Sequence, residues 1–460
     1  MTVAAPLLSR FSGSSLTARA LRSSLLTAGG FGGSQLIRLL SNLALTRLLF
    51  PEAFGLMALV TVFLIGLGQF SDVGVTPAIL QSKRGDDPKF LNTAWTIQVI
   101  RGVCLFVVAC LIAWPVSVFY DQPQLLELLP VAALSLLIAG FNPTRLDTAN
   151  RHLLLGRVTA IEFTTQLIGV IGAIILAWIT GSVWSLVASG LISAAVQLYL
   201  LDRFLPGQRN RFHWDAAAAQ DLISFGKWIF LSTVCGFFFT QGDKLLMGEY
   251  LPIDIFGVYN IGFFLASFPM LLGGMVTRKI LIPIYRETPP GVSRENFRKM
   301  RKMRMLVTAF LLALVALLAL IGVWLIGLLY DPRYQMAGAV VVMIAVTQIP
   351  QIIVLTYDQA ALAAGDSRRF FLLALARAVL MVVCVILGLE MAGLVGGILG
   401  QGAAMLLAYP VVVWLSLRSA AWDPLHDALF AGLGAGLAVF SVWFNWPAVS
   451  AMIQMSGATG

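Results

Sequence analysis

The chain has 460 residues, of which 59% are hydrophobic and only 12% charged, with a net charge of +9 and a mean hydropathy of +0.88. So apolar a composition excludes a soluble domain, and nothing in it resembles a nucleic-acid module. The fold class that follows is an all-α polytopic membrane protein, because only helices and closed barrels satisfy their own backbone in lipid and the apolar runs are helix-long.

The first 23 residues carry Arg10, Arg19 and Arg22 ahead of an apolar run, as a secretory signal does. That run contains Arg38 and leads into further spans, so it reads as a retained first helix. Apolar windows of about 20 residues place twelve spans near 24–46, 54–80, 92–114, 125–144, 158–180, 182–202, 222–248, 256–282, 305–329, 335–360, 368–389 and 392–417. A thirteenth apolar segment, 427–446, either spans or lies re-entrant. The domains expected are a cytoplasmic N-terminal segment 1–23, an N-lobe 24–202, a cytoplasmic linker 203–221, a C-lobe 222–417 and a C-terminal extension 418–460.

Basic residues set the orientation, because cytoplasmic loops retain Lys and Arg. With the N-terminus inside, the outer loops hold only Arg47 and Arg333, while the inner segments hold most of the others. Outer-surface aromatics Trp114, Tyr120, Trp184, Tyr330 and Tyr334 then read as an interfacial belt. The inner loop 284–305 breaks at Pro289-Pro290-Gly291, after which Ser293 to Arg304 can form a basic surface helix on anionic headgroups, although plain orientation charge explains it as well. Anionic membrane lipids are therefore an expected partner.

The two halves share an internal repeat. LFPEAFG at 49–55 resembles LPIDIFG at 251–257, with Pro51 and Pro252 separated by 201 residues, Pro143 and Pro350 by 207, and Gly156 and Gly365 by 209. An offset of six spans preserves orientation, so the halves are expected to be parallel repeats about an axis along the membrane normal, with substrate bound where they meet. Gly74, Pro77, Pro143, Pro269 and Pro350 fall inside spans, where helices break or kink.

No enzyme site emerges, and no catalytic residue, metal ligand set or cofactor is expected. There is no phosphate loop, zinc pattern or nucleophile elbow; His152, His213 and His426 sit in or beside basic loops, and Cys104, Cys110, Cys235 and Cys384 read as small core residues. What remains is the polar residues inside spans, which are expensive in hydrocarbon and normally face a cavity or one another. Gln35, Arg38 and Asn42 recur at spacings of three and four, on one face of the first helix. Asp72 and Arg101 lie at equal depth on spans two and three, as do Asp358 and Arg377 on spans ten and eleven, and each pair reads as a structural bridge. Gln241, Asp243 and Lys244 lie in the outer third of span seven, the counterpart of span one. Neighbouring Asp243 and Lys244 point about 100° apart and need not pair. Arg38 and Lys244 are left as the candidate contacts for an anionic ligand, the fork of Arg suiting phosphate.

A polar first helix running into LLFPEAFG, the DVG of Asp72 to Gly74, SFGKW at Ser224 to Trp228, and GDKLLMGEYL followed by FGVY at Phe256 to Tyr259 together resemble the polysaccharide transporters of the multidrug/oligosaccharidyl-lipid/polysaccharide exporter superfamily. The resemblance covers about 24–417 and implies two six-helix lobes around a central cavity. It also implies transfer of undecaprenyl-diphosphate-linked oligosaccharide across the bacterial inner membrane for exopolysaccharide, capsule or O-antigen synthesis, alongside polymerase or export machinery. The alternatives are a peptidoglycan-precursor flippase, a cation-coupled drug exporter, which would want an acidic cavity, and a membrane glycosyltransferase or polymerase, which would want a large outer loop. The segment beyond Trp422 departs from a plain twelve-helix plan.

Overall fold

The computed structural model describes residues 16–71, 74–277, 281–357, 367–418 and 420–458. Asp72, Asp358, Gly365 and Arg278 lie outside them, as do the side chains of Ser224 to Trp228. Among the described residues every regular element is helical. In order these are α1 Leu16–Leu48, α2 Pro51–Phe70, α3 Val75–Gln81, α4 Pro88–Phe119, α5 Leu125–Gly140, α6 Arg145–Arg151, α7 Leu155–Thr180, α8 Trp184–Phe204 and α9 Ala216–Tyr250. They continue with α10 Ile253–Ala266, α11 Phe268–Val276, α12 Ile282–Glu287, α13 Arg294–Leu329, α14 Ala337–Thr347, α15 Ile349–Val354, α16 Ser367–Arg418, α17 Pro424–Phe444 and α18 Trp446–Ala458. Among the described residues eight spans are long and apolar enough to cross a membrane, or ten if each of two bent pairs, α5 with α6 and α10 with α11, counts as one. α1 and α9, which carry the polar faces, are not among these eight or ten.

The sequence breakers act where they were placed. Gly74 adopts a φ of 70° between α2 and α3, a conformation that costs glycine nothing. The chain bends by 60° ahead of α6 and by 42° ahead of Pro269, while Pro350 opens α15. α16 is two helices that reverse at Ala392 and Gly393. A Cβ on Gly388 would strike the Gly396 carbonyl, and one on Gly400 the Cys384 carbonyl, so the arms run antiparallel with their backbones in contact, as small residues permit.

The chain groups into two compact units, one of residues 1–49 and 63–231, the other of 50–62 and 232–460. In the first, Ser34 Oγ donates to Gln166 Oε1 at 2.6 Å and Gln166 Nε2 donates to the Ser34 carbonyl at 2.9 Å. Gly30 faces Thr159 and Gly33 faces Phe163. Rising numbers meet rising numbers, so α1 and α7 are parallel. Residues 208–215, part of the expected linker, are tied along this unit. Asn210 bonds Thr144, and the amides of Arg211, His213 and Asp215 donate to Asn92, Thr96 and Thr93 on α4.

In the second unit the two copies of the repeat motif touch. A Cβ on Gly55 would overlap the Ile253 carbonyl, and one on Gly257 would overlap the Pro51 carbonyl. The third position of each motif thus meets the seventh of the other. Beside them Phe54 packs edge-on to Tyr334 with ring centroids 5.8 Å apart, and the Arg333 guanidinium sits 4.5 Å over the Phe50 ring.

Several expectations are corrected. Ser293 to Arg304 is no separate surface helix: Ser293 caps α13, which runs unbroken into the span, because no breaker follows Arg294. Arg304 is fully buried in it. Of the expected belt, Trp114 and Trp184 are exposed but Tyr120, Tyr330 and Tyr334 are buried. Cys104 and Cys110 are exposed rather than core, on the outward stripe of α4 with Val103, Val107 and Leu111. His426 is fully buried.

Candidate functional site

On α1, Gln35 and Asn42 are half-buried and Arg38 is exposed. At 100° per residue these three point away from Leu36 and Leu40, the exposed apolar face of the same helix. An exposed arginine turned from the apolar stripe of its helix fits water or a polar ligand.

Arg101, on α4, donates from Nε to Ser71 Oγ at 2.8 Å and from Nη2 to the Gly68 carbonyl at 2.5 Å. It therefore caps the C-terminal end of α2, where carbonyls lack helical partners and carry partial negative charge. Arg377 is buried, with its guanidinium 5.6 Å over the Phe239 ring. Their expected acidic partners, Asp72 and Asp358, lie outside the described residues.

On α9 the adjacent Asp243 and Lys244 take separate partners, as their angular separation predicts. Lys244 Nζ donates to Gln241 Oε1 at 3.1 Å and lies 4.6 Å over the Phe263 ring. Asp243 is 4% exposed and accepts from the Tyr259 hydroxyl at 2.6 Å, which in turn accepts from Gln401 Nε2 at 3.0 Å. The buried carboxylate is thus held by a phenol and not by the neighbouring Lys244.

The structure adds a polar cluster that sequence reasoning missed. Arg304 donates to the Tyr285 hydroxyl and the Ala421 carbonyl and lies 4.4 Å over the Tyr357 ring. Asp427 accepts from Tyr357 and Tyr409, both at 2.7 Å, and from Trp422 Nε1 at 3.2 Å. His426 Nδ1 lies 2.9 Å from Asp427 Oδ1, and its Nε2 lies 2.9 Å from Thr308 Oγ1. Arg301 clasps Asp423 with bonds of 2.5 and 2.8 Å. The signal was present in RKMR at 301–304, which places two arginines on one face, and in WDPLHD at 422–427, an N-cap Asp with Pro at the first helical position.

Asp427, His426 and Thr308 have the spacing of a proton relay, but the Thr308 and His426 side chains are fully buried. A nucleophile that no substrate reaches does no chemistry, so the cluster binds α17 to α13. No group of three metal-ligating residues occurs among the described residues.

Burial alone would push the Asp423 carboxyl up, but the Arg301 fork and the His426 amide outweigh it and hold it below the usual carboxylate value of 3.8. A carboxylate with a lowered pKa stabilises the fold above its unfolded value and loses that contribution as pH falls through the folded one. The melting temperature of the wild type should therefore drop between roughly pH 5 and pH 3, whereas Asp423→Asn should start lower and show a flatter acid limb.

The comparisons accord with this architecture. The lipid II flippase MurJ in an inward closed conformation superposes with a TM-score of 0.68 at 12% identity, over 93% of this chain and all of that one. An inward-facing multidrug resistance MATE family transporter of the MOP superfamily superposes at 0.61 and 16% identity, over 84% and 95%. These likenesses are of fold. In sequence, the chain is 21% identical over 235 residues to the teichuronic acid biosynthesis protein TuaB of Bacillus subtilis, over 50% of this chain and 48% of that one. It is 23% identical over 247 residues to the succinoglycan biosynthesis transport protein ExoT of Rhizobium meliloti, over 52% and 48%. The chain thus spans about half the length of the curated relatives it matches. The family model described as "Polysaccharide biosynthesis protein" matches residues 44–339, well over half of the sequence, and the chain belongs to that family.

Proposed function

We propose that the protein is a flippase moving undecaprenyl-diphosphate-linked oligosaccharide repeat units across the bacterial inner membrane, by alternating access, from a cytoplasmic N-terminus. It is read as a transporter and not as an enzyme. The observation that carries the reading is Arg38, a solvent-exposed cation on the face of α1 opposite Leu36 and Leu40. In the reading Arg38 on α1 and Lys244 on α9 each contact phosphate oxygens, Gln35, Asn42 and Gln241 bond sugar hydroxyls, and Asp243 takes part in coupling. A diphosphate suits an arginine, whose guanidinium offers two parallel donors. The family supports a polysaccharide precursor over a cationic drug. Expected partners are the lipid-linked glycan, anionic lipids at the exposed Arg294, Arg298 and Lys302 of α13, and the polymerase or export proteins of the same route.

In a deletion strain, lipid-linked repeat units should accumulate on the cytoplasmic leaflet and the wild-type chain should clear them. Arg38→Ala and Lys244→Ala, at normal membrane levels, should each slow export by roughly ten- to hundredfold, since a charge-assisted hydrogen bond contributes about 1.5–3 kcal/mol. Full rescue by both variants would sink the phosphate site, and an unchanged glycan profile in the deletion strain would sink the substrate class.

A further inference from the structure

One stripe of α4 changes partner part-way along its length. Thr93, Thr96, Ile100, Val103, Val107 and Leu111 recur at spacings of three and four, on a single face of the helix. Ile100, Val103, Val107 and Leu111 are exposed, whereas Thr93 and Thr96 are buried. From Ile100 to its end at Phe119 the helix runs for about 30 Å at 1.5 Å per residue, the thickness of the hydrocarbon core. Thr96 lies about 6 Å beyond Ile100, at the depth of the headgroups. By the distribution of basic residues this is the inner side.

The linker lies over both threonines. The His213 amide donates to Thr96 Oγ1 at 3.1 Å, the Asp215 amide to Thr93 Oγ1 at 3.0 Å and the Arg211 amide to Asn92 Oδ1 at 3.1 Å. Every second amide faces α4, as in an extended chain, so neighbouring side chains alternate between two flanks. One flank carries Asn210, Phe212 and Trp214. Asn210 bonds Thr144 and the Phe212 ring centroid lies 4.8 Å from that of Trp95, yet Phe212 and Trp214 are 66% and 54% exposed. The other flank carries Arg209, Arg211 and His213, all exposed. The acids nearby are taken: Asp215 meets Arg84 at 3.8 Å and accepts from the Ala218 amide, and Asp202 meets Arg145 at 3.3 Å. Among the described residues no carboxylate pairs with Arg209 or Arg211.

We propose that residues 209–214 form a binding strap for an anionic phospholipid headgroup of the inner leaflet, with Arg209 and Arg211 on its phosphate and Phe212 and Trp214 among the first acyl carbons. The lipid-facing stripe of α4 sets the depth, the two arginines supply the charge and the two rings the apolar edge. Basic residues beside interfacial aromatics are what such a lipid meets. A soluble anion would match the charge but not the rings, nor the position level with the end of a lipid-facing stripe. Because Asp215 caps α9 directly after the strap, the bound lipid also holds the start of that helix on α4, where Ala218, Ala219 and Leu222 pack with Phe90, Leu91 and Ala94. The site rests on the inner orientation of the linker and not on the identity of the transported ligand.

The test uses the full-length protein in phosphatidylcholine nanodiscs, with tryptophan emission compared between wild type and Trp214→Phe so that the difference reports Trp214. Phosphatidylglycerol brominated near the headgroup end of its chains, raised stepwise, should quench that emission at a low fraction. Phosphatidylcholine brominated at the same carbons should quench it far less at equal fraction. In Arg209→Gln/Arg211→Gln the fraction of brominated phosphatidylglycerol that gives half-quenching should rise roughly tenfold. Glycerol phosphate in solution should not displace the lipid, because it has no chains to seat beside the rings. Quenching by neither lipid, equal quenching by both, an unshifted double variant, or full displacement by glycerol phosphate overturns the proposal. The substituted side chains are exposed, so the variants should fold, with circular dichroism as the check. No readout involves a glycan, so failure of the flippase reading leaves the site standing.

Discussion

Arg304→Ala should be the most damaging single substitution away from the proposed ligand contacts, lowering stability by about 3–5 kcal/mol, the range measured when one member of a buried charged network is removed. The side chain is fully buried, between the rings of Tyr285 and Tyr357. Alanine leaves the Ala421 carbonyl without its donor, the Tyr285 hydroxyl without its fork, and a void the size of a guanidinium. It also takes the guanidinium from the face of the Tyr357 ring, whose hydroxyl donates to Asp427. Because Ala421 leads into α17, the expected consequence is loss of α17 docking before the rest of the chain unfolds. Thermal unfolding in detergent, followed by limited proteolysis after Arg418, measures both. Arg304→Lys should recover little, since an ammonium has neither the planar fork nor the stacking face of arginine. An Arg304→Ala protein with unchanged melting temperature and an intact C-terminus would refute the assignment.

Gly257→Val should come close behind. The added side chain would have to occupy the Pro51 carbonyl, a backbone atom that cannot rotate aside, so α2 and α10 must move apart at their first turns. Overpacking of this kind costs about 1–3 kcal/mol, and here the displaced segment also carries Phe54 from Tyr334 and Phe50 from Arg333. The contact is reciprocal, so Gly55→Val should be equally harmful. The double variant should be little worse than either single one, because one displacement relieves both overlaps. Detergent melting curves of the three variants give the comparison. Additive losses would show that the two glycines act independently.

Much of the fold was legible because lipid imposes a coarse rule on sequence. Apolar length marks the spans, prolines and glycines mark the breaks, and both survive any detail of packing. The first-helix polar face was legible for the same reason: Gln35, Arg38 and Asn42 stand out against hydrocarbon. The buried cluster was not, since Arg304, Asp423, His426 and Asp427 lie near chain segments where charge is ordinary. Only the fold reveals that they have left water. Arg101 was read as half of an ion pair with Asp72, which lies outside the described residues; among those residues it grips Ser71 and the Gly68 carbonyl, and backbone acceptors have no letter in the sequence.

The motif contact between Gly55 and Gly257 has a further meaning. A contact in which each partner offers the same two positions to the other is what two identical chains make across a two-fold axis. The first turns of α2 and α10 thus keep, within one polypeptide, the form of a homodimer interface. A protein of six spans that paired with itself through this seven-residue motif would need only a tether between copies to become the present chain.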